Sequence, residues 1–213
     1  MRYENLFITI EGIDGCGKST QSERICEWLT SLNDCETLRT FEPGGWSGGK
    51  ILREVILRDE NFSGMSELFL FLADRAGHVE KKILPALRSG KNVVCERYVD
   101  STIAYQASGH GIENVREILS ACKFPEPDLT VLLDIAPELA IKRVKNRGEN
   151  SGDKFESEGV KFMRKVRGEY VNLANENPGR FLKIPVLEND SESEIFGKII
   201  SGIKGRNLSC QFR

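Results

Sequence analysis

The stretch Gly12-Ile13-Asp14-Gly15-Cys16-Gly17-Lys18-Ser19 limits what this chain can be more than any other. It satisfies G-x-x-x-x-G-K-[ST] without a gap, the pattern of a loop that wraps phosphate. Backbone N–H groups point inward in such a loop, and side chains at the glycines would block a phosphate's approach. Lys18 is then placed to bridge the β- and γ-phosphates, and the Ser19 hydroxyl to ligate Mg²⁺. A helix starting at about Gly17 would aim the positive end of its dipole at the same phosphates. The flanks fit this reading. Leu6-Phe7-Ile8-Thr9-Ile10 is short, apolar and β-rich, as a buried parallel strand is. Ile25, Trp28, Leu29 and Leu32 then recur at helical spacing.

A chain of 213 residues is long enough to bury a substantial core and reads as one domain over 1–205, with 206–213 a frayed tail. Its formal net charge of −2 gives no global field favouring nucleic acid or an anionic membrane. No apolar run approaches the ~20 residues of a membrane span. Met1 to Asn5 leads straight into the first strand without a small-residue cleavage site, which reads as a cytoplasmic protein. The six cysteines (16, 26, 35, 95, 122 and 210) form no C-x-x-C pair, so they suggest neither a zinc site nor a disulfide framework. Cys95 reads as a small core residue. Cys16, inside the phosphate loop, reads as a small residue tolerated there rather than a redox switch.

In chain order, strands are expected at 6–10, 36–41, 92–95, 129–135 and 181–186. Helices are expected over 48–58, 66–89, 98–108, 112–122, from Pro137 to near Arg147, on to about Asn175, and over 191–203. Pro85 should kink or break the long second one, and Gly90 should stop it. Gly148 to Lys154 is polar and glycine-bearing, the composition of a mobile loop. Strands alternating with helices imply an α/β fold: a five-stranded parallel sheet of the phosphate-loop (P-loop) NTPase type, with helices on both faces. Ligands should collect at the carboxyl ends of its strands.

Three groups of residues point to chemistry. On the long helix Phe71 and Arg75 are one turn apart, so a ring and a guanidinium can address one planar ligand. The helix alone leaves this open against a core Phe71 and a surface ion pair at Arg75. At the end of the third strand stands Glu96-Arg97, where a carboxylate can hold a metal or its water. Arg97, Ser101 and Tyr105 follow at i, i+4, i+8, with Thr102 and Gln106 on the neighbouring stripe. A helix start with a salt-bridged arginine is the open alternative. Third, Lys142 to Arg167 carries nine basic residues against four acidic ones. Arg143 and Arg147 lead into the glycine-flanked loop, and a flexible basic lid over about 143–156 can close on developing phosphoryl charge.

Leu70-Phe71-Leu72-Ala73-Asp74-Arg75-Ala76, the run Glu96 to Gln106 and the run Pro127 to Asp134 together resemble the thymidylate kinase family. The resemblance runs in order from about Leu6 to Tyr170. It implies phosphorylation of dTMP to dTDP by ATP and Mg²⁺, in dTTP synthesis, by a homodimer that binds neither nucleic acid nor membrane. It also implies site roles. ATP would lie against Gly12, Ile13, Asp14, Gly15, Cys16, Gly17, Lys18, Ser19, Thr20 and Arg143. The acceptor would lie against Phe71 and Arg75 at the base, Arg97 at the phosphate, and Glu42, Arg53, Ser101, Thr102, Tyr105 and Gln106 around them. Ser19, Asp14 and Glu96 would surround the metal, and Lys18, Asp14, Arg97 and Arg147 would serve the transfer. Gly15 stands where some members carry arginine, which makes Arg147 the candidate lid cation. The sequence also departs from the family. In Thr40-Phe41-Glu42-Pro43-Gly44-Gly45-Trp46, Phe41 replaces the arginine and Trp46 the second threonine of T-R-E-P-G-G-T. Glu96 stands where Asp is usual, and Lys154 where the lid often has Arg.

Two other readings remain. A deoxynucleoside kinase shares the phosphate loop and needs a carboxylate base for a sugar hydroxyl, and Glu42 could serve. A monophosphate acceptor instead poses repulsion between anions, which arginines answer, and this chain offers several. A nucleotide-dependent switch would leave the acceptor-side residues unexplained.

Overall fold

The computed structural model describes residues 5–32, 36–58, 62, 64–109, 111–146 and 159–206. Five strands are present: β1 (Phe7–Glu11), β2 (Thr37–Phe41), β3 (Asn92–Glu96), β4 (Leu129–Ile135) and β5 (Phe181–Val186). They form one sheet in the order β2-β3-β1-β4-β5, every pair parallel. Two side chains begin the central strand. Asn92 Oδ1 accepts from the Leu6 N–H at 2.9 Å, and Asp128 Oδ2 from the Phe7 N–H at 2.7 Å.

The helices, in chain order, are α1 (Lys18–Leu32), α2 (Gly49–Arg58), α3 (Gly64–His78), α4 (Leu84–Arg88), α5 (Val99–Thr102), α6 (Val115–Cys122), α7 (Pro137–Asn146), α8 (Gly159–Glu176) and α9 (Glu192–Lys204). Alternate residues of β1 show that both sheet faces are covered. Ile8 and Ile10 join a core with Ile25 and Leu29 of α1 and Ile199 of α9. Phe7 packs with Val79, Ile83, Leu87 and Tyr98, and Glu11 bonds Tyr170 of α8. Cys95 is buried among the second group, as a small core residue.

Two helices depart from the uniform ones the sequence suggests. Between α3 and α4 the chain widens into a π-turn at Val79–Ile83, where the Leu84 N–H reaches back to the Val79 carbonyl. Pro85 lacks an N–H and its ring would crowd the carbonyl four residues back, so the helix relaxes one turn ahead of it. Gly90, at φ 86°, ends the segment as expected. The helix after Tyr98 is α only through Thr102 and continues as a π-helix over Ile103–Gly109. The helix expected from Ile112 begins at Val115, behind Asn114 in a left-handed conformation. At the other end, Ser191 caps α9 with a reciprocal box: its hydroxyl accepts from the Glu194 N–H, and the Glu194 carboxylate from the Ser191 N–H. The segment 147–158, with most of the expected lid, and the tail beyond 206 lie outside the described residues.

Candidate active site

The carboxyl ends of β1, β2 and β3 deliver Gly12, Glu42 and Arg97 to one edge of the sheet, where the strand order reverses at β1. The phosphate loop turns through Gly12 at φ 141° and Gly15 at φ 82°. A Cβ on Gly15 would stand 2.4 Å from the Ala140 carbonyl of α7. An arginine cannot occupy position 15 unless α7 moves, which gives a physical reason for glycine there. Lys18 is buried, with Nζ donating to the Gly12 and Ile13 carbonyls at 3.1 Å and lying 3.6 Å from Asp14 Oδ1. Cys16 lies fully buried beneath it, and burial pushes its thiol pKa up, opposite to what a reactive thiolate needs.

Next to this loop lies a cavity of about 360 Å³. Its wall brings together every acceptor-side residue named from the sequence: Glu42, Arg53, Phe71, Arg75, Arg97, Ser101, Thr102, Tyr105 and Gln106, with Asp14, Ser19 and Glu96 at the phosphate-loop end. Arg97 holds φ 63°, a left-handed conformation that costs a non-glycine residue about 1–2 kcal/mol. That backbone turns the guanidinium inward. Nη2 meets Asp14 Oδ1 at 2.6 Å and the Tyr105 hydroxyl at 3.1 Å, and Nη1 donates to Ser101 Oγ at 3.3 Å. Burial works to raise the Asp14 pKa, but the charges of Arg97 and Lys18 outweigh it and hold the carboxyl well below the usual range.

Arg75 is not the surface ion pair the helix alone allowed. It is almost wholly buried, with Nε on Glu42 Oε2 at 2.7 Å, Nη1 on Thr102 Oγ1 at 2.8 Å and Nη2 on the Tyr98 carbonyl at 2.9 Å. Glu42 also bonds His78 Nδ1 at 2.9 Å, and His78 Nε2 meets Thr40 Oγ1 at 2.7 Å. Glu42 is therefore committed to two partners and makes a poor general base. Its oxygens, His78 and Cys95 lie within 4.8 Å of one another, but this trio is buried and already occupied by Arg75, Thr40 and the Arg97 carbonyl. Ser19 Oγ, by contrast, donates to Glu96 Oε1 at 2.9 Å on the open side of the loop.

Two buried carboxylates, Glu11 and Asp74, lie outside the site residues singled out in the sequence. Glu11 is wholly buried, accepting from the Tyr98 N–H at 2.7 Å, Ser101 Oγ at 2.6 Å and the Tyr170 hydroxyl at 3.0 Å. Burial, then the nearby Asp100 charge, pushes its pKa up to about 7. The apolar run predicts a strand that ends at Ile10 and leaves Glu11 outside it. Its place directly before Gly12 was the available signal. Asp74, buried on α3, accepts from the Gly44 N–H and the Trp46 indole N–H, both at 2.9 Å, and so pins the Glu42–Gly45 turn to the helix. On the other side of the phosphate loop, a second cavity of about 250 Å³ lies between Cys16–Thr20, Arg143 and Asn146 of α7, and Asp190 with Glu192. Arg143 thus lines a cavity with residues of the phosphate loop. Arg147 and Lys154 lie outside the described residues.

The family model for thymidylate kinase matches residues 10–195. The chain belongs to the thymidylate kinase family. It is 41% identical over 205 residues to the thymidylate kinase of Carboxydothermus hydrogenoformans, covering 94% of this chain and 98% of that one. The thymidylate kinase of Solidesulfovibrio magneticus is 38% identical over 215 residues, covering 95% of this chain and 100% of the relative. Among solved structures, the thymidylate kinase of Ehrlichia chaffeensis superposes with a TM-score of 0.75 at 30% identity, covering 93% of this chain and 98% of the other. The family makes the protein a kinase, a phosphotransferase with a nucleotide substrate.

Proposed function

We infer that the protein transfers the γ-phosphoryl group of ATP to dTMP, giving dTDP and ADP, a step toward dTTP. The single observation that carries this reading is the cavity beside the phosphate loop. It combines an aromatic wall, Phe71, with Arg75 and Arg97 on an acceptor side that opens onto Ser19. A phosphate oxygen of dTMP attacks the γ-phosphorus as the bond to ADP breaks, so negative charge gathers between two anions and cations must surround it. Arg97 faces the acceptor phosphate, and Lys18 with the loop N–H groups faces the donor. Thymine lies along Phe71 with Arg75 at its edge, while Thr102, Tyr105 and Gln106 close the pocket. A nucleoside acceptor is disfavoured because Glu42, the carboxylate it would need, is held by Arg75 and His78.

Mg²⁺ fits the oxygen donors Ser19 Oγ and Glu96, whose contact shows two hard ligands within reach of one site. When bound it supplies charge neutralisation on the phosphate oxygens. Asp14, engaged by Arg97 and Tyr105, would stand beside it. Arg143 belongs to the donor side, and Arg147 in the proposed lid over about 143–156 adds the cation that Gly15 does not. The proposal treats 1–205 as a single kinase domain followed by a short tail, working in the cytoplasm. Among the described residues no helix is long and apolar enough to cross a membrane. The protein is proposed to act as a homodimer, for which the exposed apolar side chains Ile51 of α2 and Met65 and Phe69 of α3 are available.

A coupled assay with ATP and Mg²⁺ tests the reading against dTMP, dUMP, dCMP and thymidine. Turnover with dTMP far above thymidine is expected, and the opposite order defeats the proposal.

A further inference from the structure

Four guanidinium groups line the acceptor cavity: Arg39, Arg53, Arg75 and Arg97. Two are matched by buried or half-buried acids, Arg75 by Glu42 and Arg97 by Asp14. Arg53 donates to the Pro43 carbonyl at 2.8 Å and lies over the Phe41 ring. Arg39 remains. It makes no ion pair among the described residues. Its Nε donates to Ser22 Oγ and its Nη2 to the Ser19 carbonyl, both at 3.0 Å. Both acceptors are neutral, and both sit at the start of α1.

That placement is electrostatically poor in the free protein. A helix N-terminus is positive, so a cation anchored there favours the arrival of an anion, and the Glu96 carboxylate nearby is already engaged by Ser19 Oγ at 2.9 Å. The backbone explains how Arg39 arrives. Along β2, Arg39 and Phe41 are exposed while Thr40 between them is buried against His78, so 39 and 41 project from the same face. Position 41 is where the T-R-E-P-G-G-T pattern carries arginine and this chain carries phenylalanine. The lost cation is thus matched by one two residues earlier on the same strand face. Its two hydrogen bonds fix the guanidinium beside Ser19 and leave further N–H groups for an anion.

We propose that Arg39 contacts the phosphate of the acceptor nucleotide from β2, supplying the positive charge that Phe41 does not. The ligand class is a nucleoside monophosphate. The proposal rests on the acceptor-cavity reading above, which dTMP turnover by the unaltered protein tests separately.

The test is Arg39→Leu, read as KM for dTMP and ATP and as the inhibition constant of thymidine, which has the same base and sugar but no phosphate. The expected result is KM for dTMP raised about tenfold or more, the scale of one charge-assisted hydrogen bond. Thymidine inhibition and KM for ATP should stay within twofold. Adding Phe41→Arg to the Arg39→Leu variant should recover most of the loss, which a purely structural bond to α1 would not. Equal weakening of dTMP and thymidine, an unchanged KM for dTMP, or no recovery on adding Phe41→Arg each overturns the proposal. Arg39→Gln repeats the measurement should the leucine variant not fold.

Discussion

Gly77→Ala should destabilise this protein although it places a better helix former in α3. In an open helix the change would gain roughly 1 kcal/mol. Here the added Cβ would lie 2.3 Å from Cζ2 of Trp46 and 2.7 Å from Cε2 and Cη2. The indole cannot simply slide away. It is backed by Gly48 and Gly49, where a Cβ would stand 2.5 Å from Cη2 and 2.8 Å from Nε1 respectively, and Nε1 is tied to Asp74 Oδ1 at 2.9 Å. Forcing a methyl into a packed site costs about 1–3 kcal/mol, and breaking the indole bond would leave the buried Asp74 short of a donor at a further cost of about 1–3 kcal/mol. Subtracting the helix gain leaves a net loss of about 1–5 kcal/mol. At this chain length that lowers the unfolding midpoint by about 2–20 °C. Calorimetry or a denaturant series measures it directly. The decisive comparison is a double-mutant cycle with Trp46→Thr, which empties the three-glycine cradle. In that background Gly77→Ala should become stabilising by up to about 1 kcal/mol. If Gly77→Ala stabilises the unaltered protein, or behaves the same in both backgrounds, the cradle does not hold the indole.

Arg75→Ala should act on folding as well as on dTMP. Removing it strands Glu42 in the interior, so equilibrium unfolding should show a loss of about 3–5 kcal/mol, while titration shows ATP affinity retained and dTMP affinity lowered. Glu11 sets a pH dependence. Its folded pKa is raised to about 7 above an ordinary 4.5, so the native state binds the extra proton and stability falls as pH rises through that window. The unfolding midpoint should be higher near pH 5.5 than near pH 8, and Glu11→Gln should flatten that slope; an unchanged slope excludes Glu11. Asp14, whose folded pKa is depressed, contributes stability above its unfolded pKa of 3.8 that is lost only in stronger acid, so it does not obscure the measurement. Arg147→Ala should cut kcat by roughly 10²–10³ with little change in the dissociation constants of ATP and dTMP; a near-normal kcat moves the lid cation elsewhere.

The sheet was legible in the sequence because parallel strands buried on both faces read as plain apolar runs. Leu129–Ile135 is such a run and agrees with the structure at both ends; Phe181–Val186 agrees too, although as an edge strand it exposes Lys183 and Pro185 and only its Phe181, Ile184 and Val186 are buried. The π-turns were not legible. They depend on which carbonyl an N–H reaches, and apolar spacing cannot separate three from four or five residues back. Arg75 shows the same limit in the site. Its spacing from Phe71 located it, but the partners that bury it, Glu42 and Thr102, come from other elements. Trp46 and Gly77 illustrate the reverse. Each looks odd alone, and together they are one packing decision made across thirty-one positions, visible only once the fold brings them together.

The resting site is satisfied internally, and this shapes how phosphate must enter. Lys18 rests on carbonyls of its own loop, and Arg97 rests on Asp14 at 2.6 Å. On the proposed assignments each cation trades a protein oxygen for a phosphate oxygen. The exchange keeps guanidinium and ammonium hydrogen-bonded throughout, so no cation is left bare in a half-buried cavity. It also frees Asp14 as the acceptor phosphate takes Arg97. A carboxylate held ionised by its neighbours, then released beside Ser19 and Glu96, gains value only if another cation waits there. On those assignments acceptor binding and metal binding would be coupled through one side chain. Arg39 stands outside the exchange, because its partners are neutral and it gives up no ion pair to meet an anion. Its contribution should therefore appear as acceptor affinity, whereas that of Arg97 is divided between the phosphate it gains and the carboxylate it releases.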